Sequence, residues 1–209
     1  NVDLVEIIKK NNKTSKLIYF SGIGIDKQSD SKRSEAIFQS ELYIQNNLLN
    51  SVVIRPGVIL GGEDQFLNGL FPLFKFSFFI PLFGDGLTKF QPVYIDDVSI
   101  GINSIIESNL SGNHLFEFVG PEIFTYKEFY KNLAKNFNKT KVFIPFPFNI
   151  IKIGVMILSK TPFSPLNLEQ LKLFERDNIA SDNYKKLLDL GIKPQDLRII
   201  IKNIVKKNI

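Results

Sequence analysis

The chain has 209 residues, of which 44% are hydrophobic and 22% are charged. This usage suits one substantial globular domain, alone or with a small appendix, and excludes wholesale disorder. The absence of cysteine excludes disulfides, thiolate metal sites and thiol nucleophiles. The net charge of +5 comes from scattered lysines without a basic run among aromatic residues, so nucleic acid is not the expected partner. A diffuse lysine excess would suit an anionic membrane surface or an acidic cofactor.

Helices and strands alternate through the first half of the chain. The patterns predict, in order, a helix over 2–10, a strand over 16–20, a helix over 31–47, a strand over 51–54, a helix over 63–74, an extended segment over 90–94 and a helix from an Asp96 N-cap to Glu107. Such alternation favours an α/β fold with a parallel sheet and right-handed crossovers.

The character of the chain changes from His114 onward. The patterns predict a strand from His114, a helix opened by a Thr125–Glu128 capping box and running to about Lys139, an apolar helix after the proline-punctuated 144–147, and two more helices, the last starting near Gln195. We therefore expect two parts: residues 1–112, and a smaller, mainly helical lobe over residues 113–209 that packs against the first. The apolar stretch 143–158 is too short and too broken to span a bilayer, so a buried helix is expected, with an interfacial helix as the alternative.

The most informative stretch follows the strand at 51–54. Pro56 lacks an amide hydrogen and ends the ladder, while Gly57 lets the backbone approach another molecule. A predicted turn at Gly61–Gly62 is followed by two acids, Glu63 and Asp64, at the start of a predicted helix. These features are typical of the rim of an open α/β sheet, where ligands bind.

A family resemblance rests on motifs along nearly the whole chain. The residues that carry it are a strand ending in Ser21-Gly22, Arg55-Pro56-Gly57-Val58-Ile59-Leu60-Gly61, Gly84-Asp85-Gly86, and Gln91-Pro92-Val93-Tyr94-Ile95-Asp96-Asp97-Val98. They resemble the second half of extended and atypical short-chain dehydrogenases, the NAD(P)-dependent epimerase/dehydratase-like superfamily. Residues 62–68 and 89–94 look most like the dehydrogenase-like accessory subunit of respiratory complex I. The resemblance implies the C-terminal half of a Rossmann-type doubly wound parallel sheet, with NAD(P)(H) as cofactor.

Two departures from the family qualify that expectation. First, no glycine-rich turn follows an opening strand, so the half of the fold that holds the pyrophosphate is expected upstream of Asn1. The cofactor is therefore expected to bind only when that half is present. Half a parallel sheet should leave an unpaired edge and an uncovered apolar face. The missing N-terminal half of the same fold is therefore a predicted partner.

The second departure is the absence of the family's Tyr-x-x-x-Lys pair. Alignment on Glu41 and Pro56 places the pair on Arg33 and Ile37, and alignment on residues 34–36 places it on Ser31 and Glu35. Neither supplies the acid-base tyrosine with a lysine one turn later. Tyr43 is followed by Asn47 at the lysine position. We therefore assign no catalytic residue.

The resemblance implies cofactor contacts along the rim. They are Ser21, Gly22, Pro56, Gly57, Val58 and Gln91. Structural roles compete at each: Ser21 as a packed hydroxyl, Pro56 to Val58 as a plain strand stop. For Glu63, Asp64, Asp96 and Asp97, helix capping is favoured over catalysis, and no metal site is expected because supporting ligands are lacking. The lone His114 is assigned a packing or rim role, and the Phe-rich 71–83 either packs in the core or docks a partner.

Three functions follow as hypotheses. The leading one is an NAD(P)(H)-binding, non-catalytic accessory or assembly protein of respiratory complex I type. It would be intracellular, on the cytoplasmic or matrix side and peripheral to the inner membrane, with respiratory-chain subunits and a membrane surface as candidate partners. The alternative is an NAD(P)-dependent epimerase, dehydratase or reductase acting on a carbonyl or nucleotide-sugar substrate. The third is a fragment of a split or decaying gene.

Overall fold

The structure is a computed structural model that describes residues 2–11, 15–25, 31–158, 171 and 174–208. The helices are α1 (Val2–Asn11), α2 (Lys32–Asn47), α3 (Gln65–Phe76), α4 (Ile95–Glu107), α5 (Tyr126–Asn136), α6 (Phe148–Leu158) and α7 (Leu197–Asn208), with a 3₁₀ helix at Leu187–Leu190. The strands are β1 (Leu17–Phe20), β2 (Ser51–Pro56), β3 (Ile59–Leu60), β4 (Phe79–Phe83), β5 (Lys89–Phe90), β6 (Val93–Tyr94), β7 (Asn113–Phe118), β8 (Phe124–Thr125), β9 (Val142–Phe146) and β10 (Lys185–Lys186).

The chain forms two compact units that interleave along the sequence. The first comprises residues 1–57, 95–119 and 180–194, and the second residues 58–94, 120–179 and 195–209. The sequence predicted a domain boundary between residues 112 and 113, and this boundary stays a prediction. The strand expected to open the helical lobe, however, is β7, and it lies in the sheet of the first unit.

The first unit is built on a parallel sheet of order β1-β2-β7-β10. Ile18 is in register with Val52, and Ile54 with Phe116. Residues 51–55 of β2 are all buried, as expected of a central parallel strand. The predicted α/β class and the parallel pairing of the first two strands are confirmed.

One edge of this sheet is β1, whose outer side pairs with no strand in the described part of the chain. Phe20 at its end is 45% exposed. Helix α1 packs Val5 against Ile44 and Leu48, but leaves Leu4 and Ile7 exposed. The unpaired edge and uncovered apolar side chains expected from the sequence are therefore present.

The second unit has more strand structure than the predicted helical lobe. Its pairs are β3 with β6 and β4 with β9, both parallel, and β5 with β8, antiparallel. The sequence predicted only that the proline-containing segment 144–147 leads into a helix. Residues 144–146 instead belong to β9, which pairs with β4. An aromatic core holds the unit together: Phe90 stacks on Tyr126 with ring centroids 4.5 Å apart, and Phe74 meets Tyr130 edge-on.

Several predicted helix ends are confirmed and others move. Thr125 and Glu128 form the predicted capping box at the start of α5, which ends at Asn136 rather than Lys139. Asp96 was wrongly expected as an N-cap, because α4 already begins at Ile95 and Asp96 lies inside its first turn. Of the two late helices, the final one is α7; the described residues 174–194 before it hold β10 and the 3₁₀ helix, and residues 159–170 and 172–173 lie outside the described part of the chain. No described helix is long and apolar enough to cross a membrane.

Candidate functional site at the carboxyl edge of the parallel sheet

Four of the predicted contacts meet at the carboxyl ends of β1 and β2, in the first unit. The Ser21 amide donates to the Ile54 carbonyl at 2.8 Å, and the Ile23 amide donates to the Pro56 carbonyl at 3.1 Å. The ladder therefore continues beyond β1 and holds Ser21 and Gly22 beside the end of β2. The Gly57 amide donates to the Phe118 carbonyl at 2.9 Å, which ties the same edge to β7.

The Ser21 hydroxyl is buried and has no hydrogen-bond partner among the described residues. A buried polar group left without a partner costs about 1–3 kcal/mol, so such groups usually contact water or a ligand. Gly22 and Gly24 follow directly, and at each the place where a Cβ would sit has no neighbouring atom within 4 Å. The loop after β1 thus combines a free hydroxyl with an open backbone.

The other two predicted contacts, Val58 and Gln91, lie in the second unit. The Val93 amide donates to the Val58 carbonyl at 2.9 Å, and the Gln91 side-chain amide donates to the Gly120 carbonyl at 2.8 Å. Glycine is required at position 120, because a Cβ there would lie 2.4 Å from the Pro92 carbonyl oxygen. The hydrogen bond to the Gly120 carbonyl gives the Gln91 side chain a structural role, because it holds the backbone at Gly120 in place.

Asn178 is a residue that sequence reasoning missed. Its amide donates to the Lys89 carbonyl and its carbonyl accepts from the Gln91 amide, while its side-chain Oδ1 is buried without a partner among the described residues. No motif marks it, since an asparagine in a loop is ordinary. Only the packing of its segment beside β5 reveals the orphaned oxygen.

Arg55 and Glu41 form a buried ion pair behind the rim. Arg55 Nε lies 3.0 Å from Glu41 Oε1, Nη2 contacts Oε2, and the guanidinium sits over the Tyr184 ring. Burial disfavours the charged guanidinium, but the hydrogen bonds and charge of Glu41 outweigh it and raise the pKa of Arg55. The pair joins α2 to β2. Glu41 is also one of the two residues, with Pro56, on which the first of the two alignments rests.

That alignment puts Arg33 and Ile37 where a Tyr-Lys pair would stand. Tyr43, the remaining tyrosine of this segment, instead donates its hydroxyl to Glu6 Oε1 at 3.0 Å. The Glu6 hydrogen bond raises the pKa of Tyr43, the opposite of what an acid-base tyrosine requires. Asn47 donates to the Tyr43 carbonyl within α2, and the Tyr43–Glu6 hydrogen bond joins α1 to α2.

Of the acids that resemble catalytic carboxylates, Asp64 is a helix N-cap, whereas Asp96 and Asp97 lie within the first turn of α4. Asp64 caps α3, accepting from the Leu67 amide at 2.7 Å and the Gly61 amide at 2.9 Å. Within the described residues, no group of three or more His, Asp or Glu side chains could hold a metal ion. His114 lies in β7, in register with Val52, and its Nε2 contacts the Ser111 carbonyl at 2.9 Å. The predicted capping role of Asp64 is confirmed.

Comparison with known proteins identifies the relatives of the chain. It is 30% identical over 205 residues to the mitochondrial NADH dehydrogenase [ubiquinone] 1 alpha subcomplex subunit 9 of Arabidopsis thaliana, which covers 93% of the chain and 51% of that protein. The mouse protein of the same name is 27% identical over 188 residues. These complex I subunits are homologues of the chain. The predicted recognition is thereby confirmed.

The chain spans about half the length of the curated relatives it matches. Which half of them it matches stays a prediction. No protein-family model matches the chain.

Solved structures agree on the fold. A human epimerase family protein, SDR39U1 with NADPH, superposes with a TM-score of 0.70 at 18% identity, covering 97% of the chain and 70% of that protein. The Citrobacter sp. triphenylmethane reductase complexed with NADP(H) gives 0.74 at 15% identity, covering 99% of the chain and 69% of that protein. At such identities these likenesses establish the Rossmann-like fold of the chain.

Proposed function

We propose that the chain is part of an NAD(P)(H)-binding, non-catalytic accessory subunit of respiratory complex I. The observation that carries the proposal is its homology to subunit 9 of the mitochondrial NADH dehydrogenases over 93% of its length. The relatives are mitochondrial by name. We therefore propose that the protein works in the mitochondrion, on the matrix side of the inner membrane, with other complex I subunits as partners.

The residues at the carboxyl edge of the sheet fit a dinucleotide. The orphaned Ser21 hydroxyl supplies a hydrogen-bond donor, and the open backbone of Gly22 permits close approach. Pro56 and Gly57, in the same unit as Ser21, would border the nucleotide. When bound, such a cofactor supplies hydride transfer.

The proposal assigns the cofactor a structural use because acid-base machinery is missing. Arg33 and Ile37 in the alignment on Glu41 and Pro56, or Ser31 and Glu35 in the alignment on residues 34–36, replace the tyrosine and lysine that would move a proton to a carbonyl substrate. Ser21, without these neighbours, holds the nucleotide and orients it. It has no base to relay a proton to.

The unpaired edge of β1 supports a further part of the proposal. A sheet edge exposes a row of amide and carbonyl groups that pair readily with another strand. We propose that the glycine-rich half of the nucleotide fold supplies that strand. The nucleotide site would then be complete only when both halves are together.

Titration of NADPH fluorescence tests the nucleotide part. We expect weak or undetectable binding to the chain alone, and binding once the segment encoded upstream of Asn1 is joined to it. Ser21→Ala should then weaken binding about fivefold to tenfold through loss of one hydrogen bond, while leaving the melting temperature unchanged or higher. Ser99→Ala, an exposed serine on α4, is the matched control. Tight binding by the chain alone would contradict the two-half site.

Assembly is tested separately by tagging the natural protein and resolving mitochondrial complexes on native gels. Co-migration with complex I is expected. A protein that migrates alone, and that transfers hydride to a carbonyl or nucleotide-sugar substrate, would instead favour the epimerase or reductase alternative.

A further inference from the structure

The second unit carries a strong charge asymmetry that nucleotide binding does not explain. Residues 65–84 and 129–158 contain no Asp or Glu. They contain six lysines, namely Lys75, Lys131, Lys135, Lys139, Lys141 and Lys152. The two stretches meet in space, because β4 and β9 pair along their full length. The paired stretches therefore bring lysines together without any acid of their own, which is unusual for a solvated protein surface.

The same stretches expose large aromatic side chains. Phe76 is 81% exposed, Phe78 54% and Phe79 55%. The Phe78 and Phe79 rings meet edge-on at 5.1 Å, so they form one apolar cluster rather than scattered surface residues. Val142, in register with Phe79 on the neighbouring strand, is 40% exposed and extends the cluster.

Lysines are fixed beside these rings by hydrogen bonds to the backbone. Lys139 Nζ donates to the Lys75 carbonyl at 2.6 Å, and Lys141 Nζ donates to the Ser77 carbonyl. Both contacts fall at the carboxyl end of α3, where positive charge suits the free carbonyl groups. They hold two ammonium groups within the segment that presents Phe76 and Phe78.

We propose that this surface, formed by Phe76, Phe78, Phe79 and Val142 with Lys75, Lys139 and Lys141, docks on an anionic phospholipid bilayer. We name it the Phe–Lys surface. The phenylalanines would enter the boundary between headgroups and acyl chains, and the lysines would contact the lipid phosphates. The inference goes beyond nucleotide binding and subunit assembly, and its outcome depends on neither.

The charge pattern favours lipid over a protein partner. Protein interfaces are depleted of lysine, whereas lysines beside exposed aromatic side chains suit an anionic membrane surface. The described acid that contacts this side, Glu175, is engaged with Lys152 of α6 at 2.6 Å, on the helix that follows β9. Lys75 and Lys139 form no ion pair within the described residues.

A single introduced tryptophan gives a direct test, since the sequence contains none. In the full chain, Phe78→Trp should show a blue-shifted emission on addition of phosphatidylserine or cardiolipin vesicles. Pure phosphatidylcholine vesicles should cause no shift, and high salt should reverse the shift. Leu188→Trp, at a position 65% exposed in the first unit, is the matched control and should not respond.

Vesicle co-sedimentation then separates the two contributions. Lys75→Gln with Lys139→Gln should lower the affinity about fivefold per lysine removed. Phe76→Ser with Phe78→Ser leaves the net charge unchanged and should also lower the affinity for anionic vesicles, because the apolar contribution is lost. Lys202→Gln with Lys206→Gln is the control and changes the net charge by the same amount. Both lysines are exposed on α7, outside the Phe–Lys surface, so this variant should keep the vesicle affinity of the wild type.

The melting temperature of each variant shows whether it is folded. A folded Phe78→Trp protein whose emission ignores anionic vesicles overturns the proposal. So does equal weakening by the α7 lysine control, which would mean that net charge alone drives binding. An emission shift caused by detergent-solubilised complex I, but not by vesicles, would assign the surface to a protein partner and also overturn it.

Discussion

Arg55 on β2 and Glu41 on α2 form a buried ion pair, with 7% and 2% of the two residues exposed. We expect Glu41→Ala to reduce the free energy of unfolding by about 3–5 kcal/mol, because the guanidinium is left buried without its counter-charge. Urea denaturation measures this. Glu35→Ala, exposed on the same helix, should change stability by less than about 0.5 kcal/mol.

The Arg55–Glu41 pair also permits a stricter test of the same relationship. Replacing both residues, as Arg55→Met with Glu41→Leu, removes the buried charges together and should restore most of the stability lost in Glu41→Ala. A double variant as unstable as the single one would mean that the pair contributes through packing rather than charge.

Two helical glycines should respond to alanine with opposite signs. Gly69 in α3 has no atom within 4 Å of the added Cβ, so Gly69→Ala should stabilise the protein by about 0.5–1 kcal/mol through helix propensity. Gly101 in α4 has Phe118 and Leu187 side-chain atoms at 2.6 and 2.7 Å from that position. Gly101→Ala should therefore destabilise by about 1–3 kcal/mol. Thermal melts compare the two directly, and equal shifts would refute the packing of α4.

The capping box of α5 gives a third expectation. Thr125 accepts from the Glu128 amide at 3.1 Å, and Glu128 accepts from the Thr125 amide at 2.9 Å. Thr125→Ala should cost about 1 kcal/mol in unfolding free energy. Thr140→Ala, exposed outside any helix or strand, is the control. If both variants melt alike, the cap does not contribute to stability.

Glu117 should impose a pH dependence. Burial raises its pKa above the ordinary value, although the Ser181 amide at 2.7 Å and the Arg55 charge oppose the rise. Because the folded-state pKa exceeds the unfolded one, this residue stabilises the fold at pH values below about 4.5, and that contribution is lost as the pH rises through the folded-state pKa.

Glu117→Gln removes the titration of this residue. The stability of the variant relative to the wild type should therefore increase as the pH is raised from about 4 to 7, measured by urea denaturation at each pH. Glu63→Gln, at an exposed position, should follow the wild type. A constant difference between Glu117→Gln and wild type across this range would contradict the raised pKa.

Local patterns predicted most elements because their determinants are local. The apolar run at 17–20, the spacing in α2 and the Thr125–Glu128 box each act within a few residues, and each lies where expected. Asp96 is not the N-cap because β6 ends at Tyr94 and α4 begins directly after it, at Ile95. Strand β9 was missed because prolines hide an extended segment whose partner, β4, is 63 residues away in register.

The candidate site divides in the same way. The positions of Ser21, Pro56 and Gly57 at strand ends were predictable from the serine, proline and glycine that follow the apolar runs, and their role as cofactor contacts stays a prediction. The orphaned oxygens of Ser21 and Asn178, and the ion pair of Arg55 with Glu41, required coordinates because hydrogen bonding depends on which segments pack together.

By itself, the sequence determined the α/β class, the parallel pairing of its first two strands, the absence of any Tyr-x-x-x-Lys spacing and the similarity to the complex I subunits. These follow from periodicity, backbone chemistry and residue identity, which any conformation retains. The tertiary structure alone decided that β7 joins the first sheet, that Glu41 neutralises Arg55, and that Phe76 and Phe78 face solvent beside lysines. Those features arise from contacts between residues far apart in the chain, which local patterns do not encode.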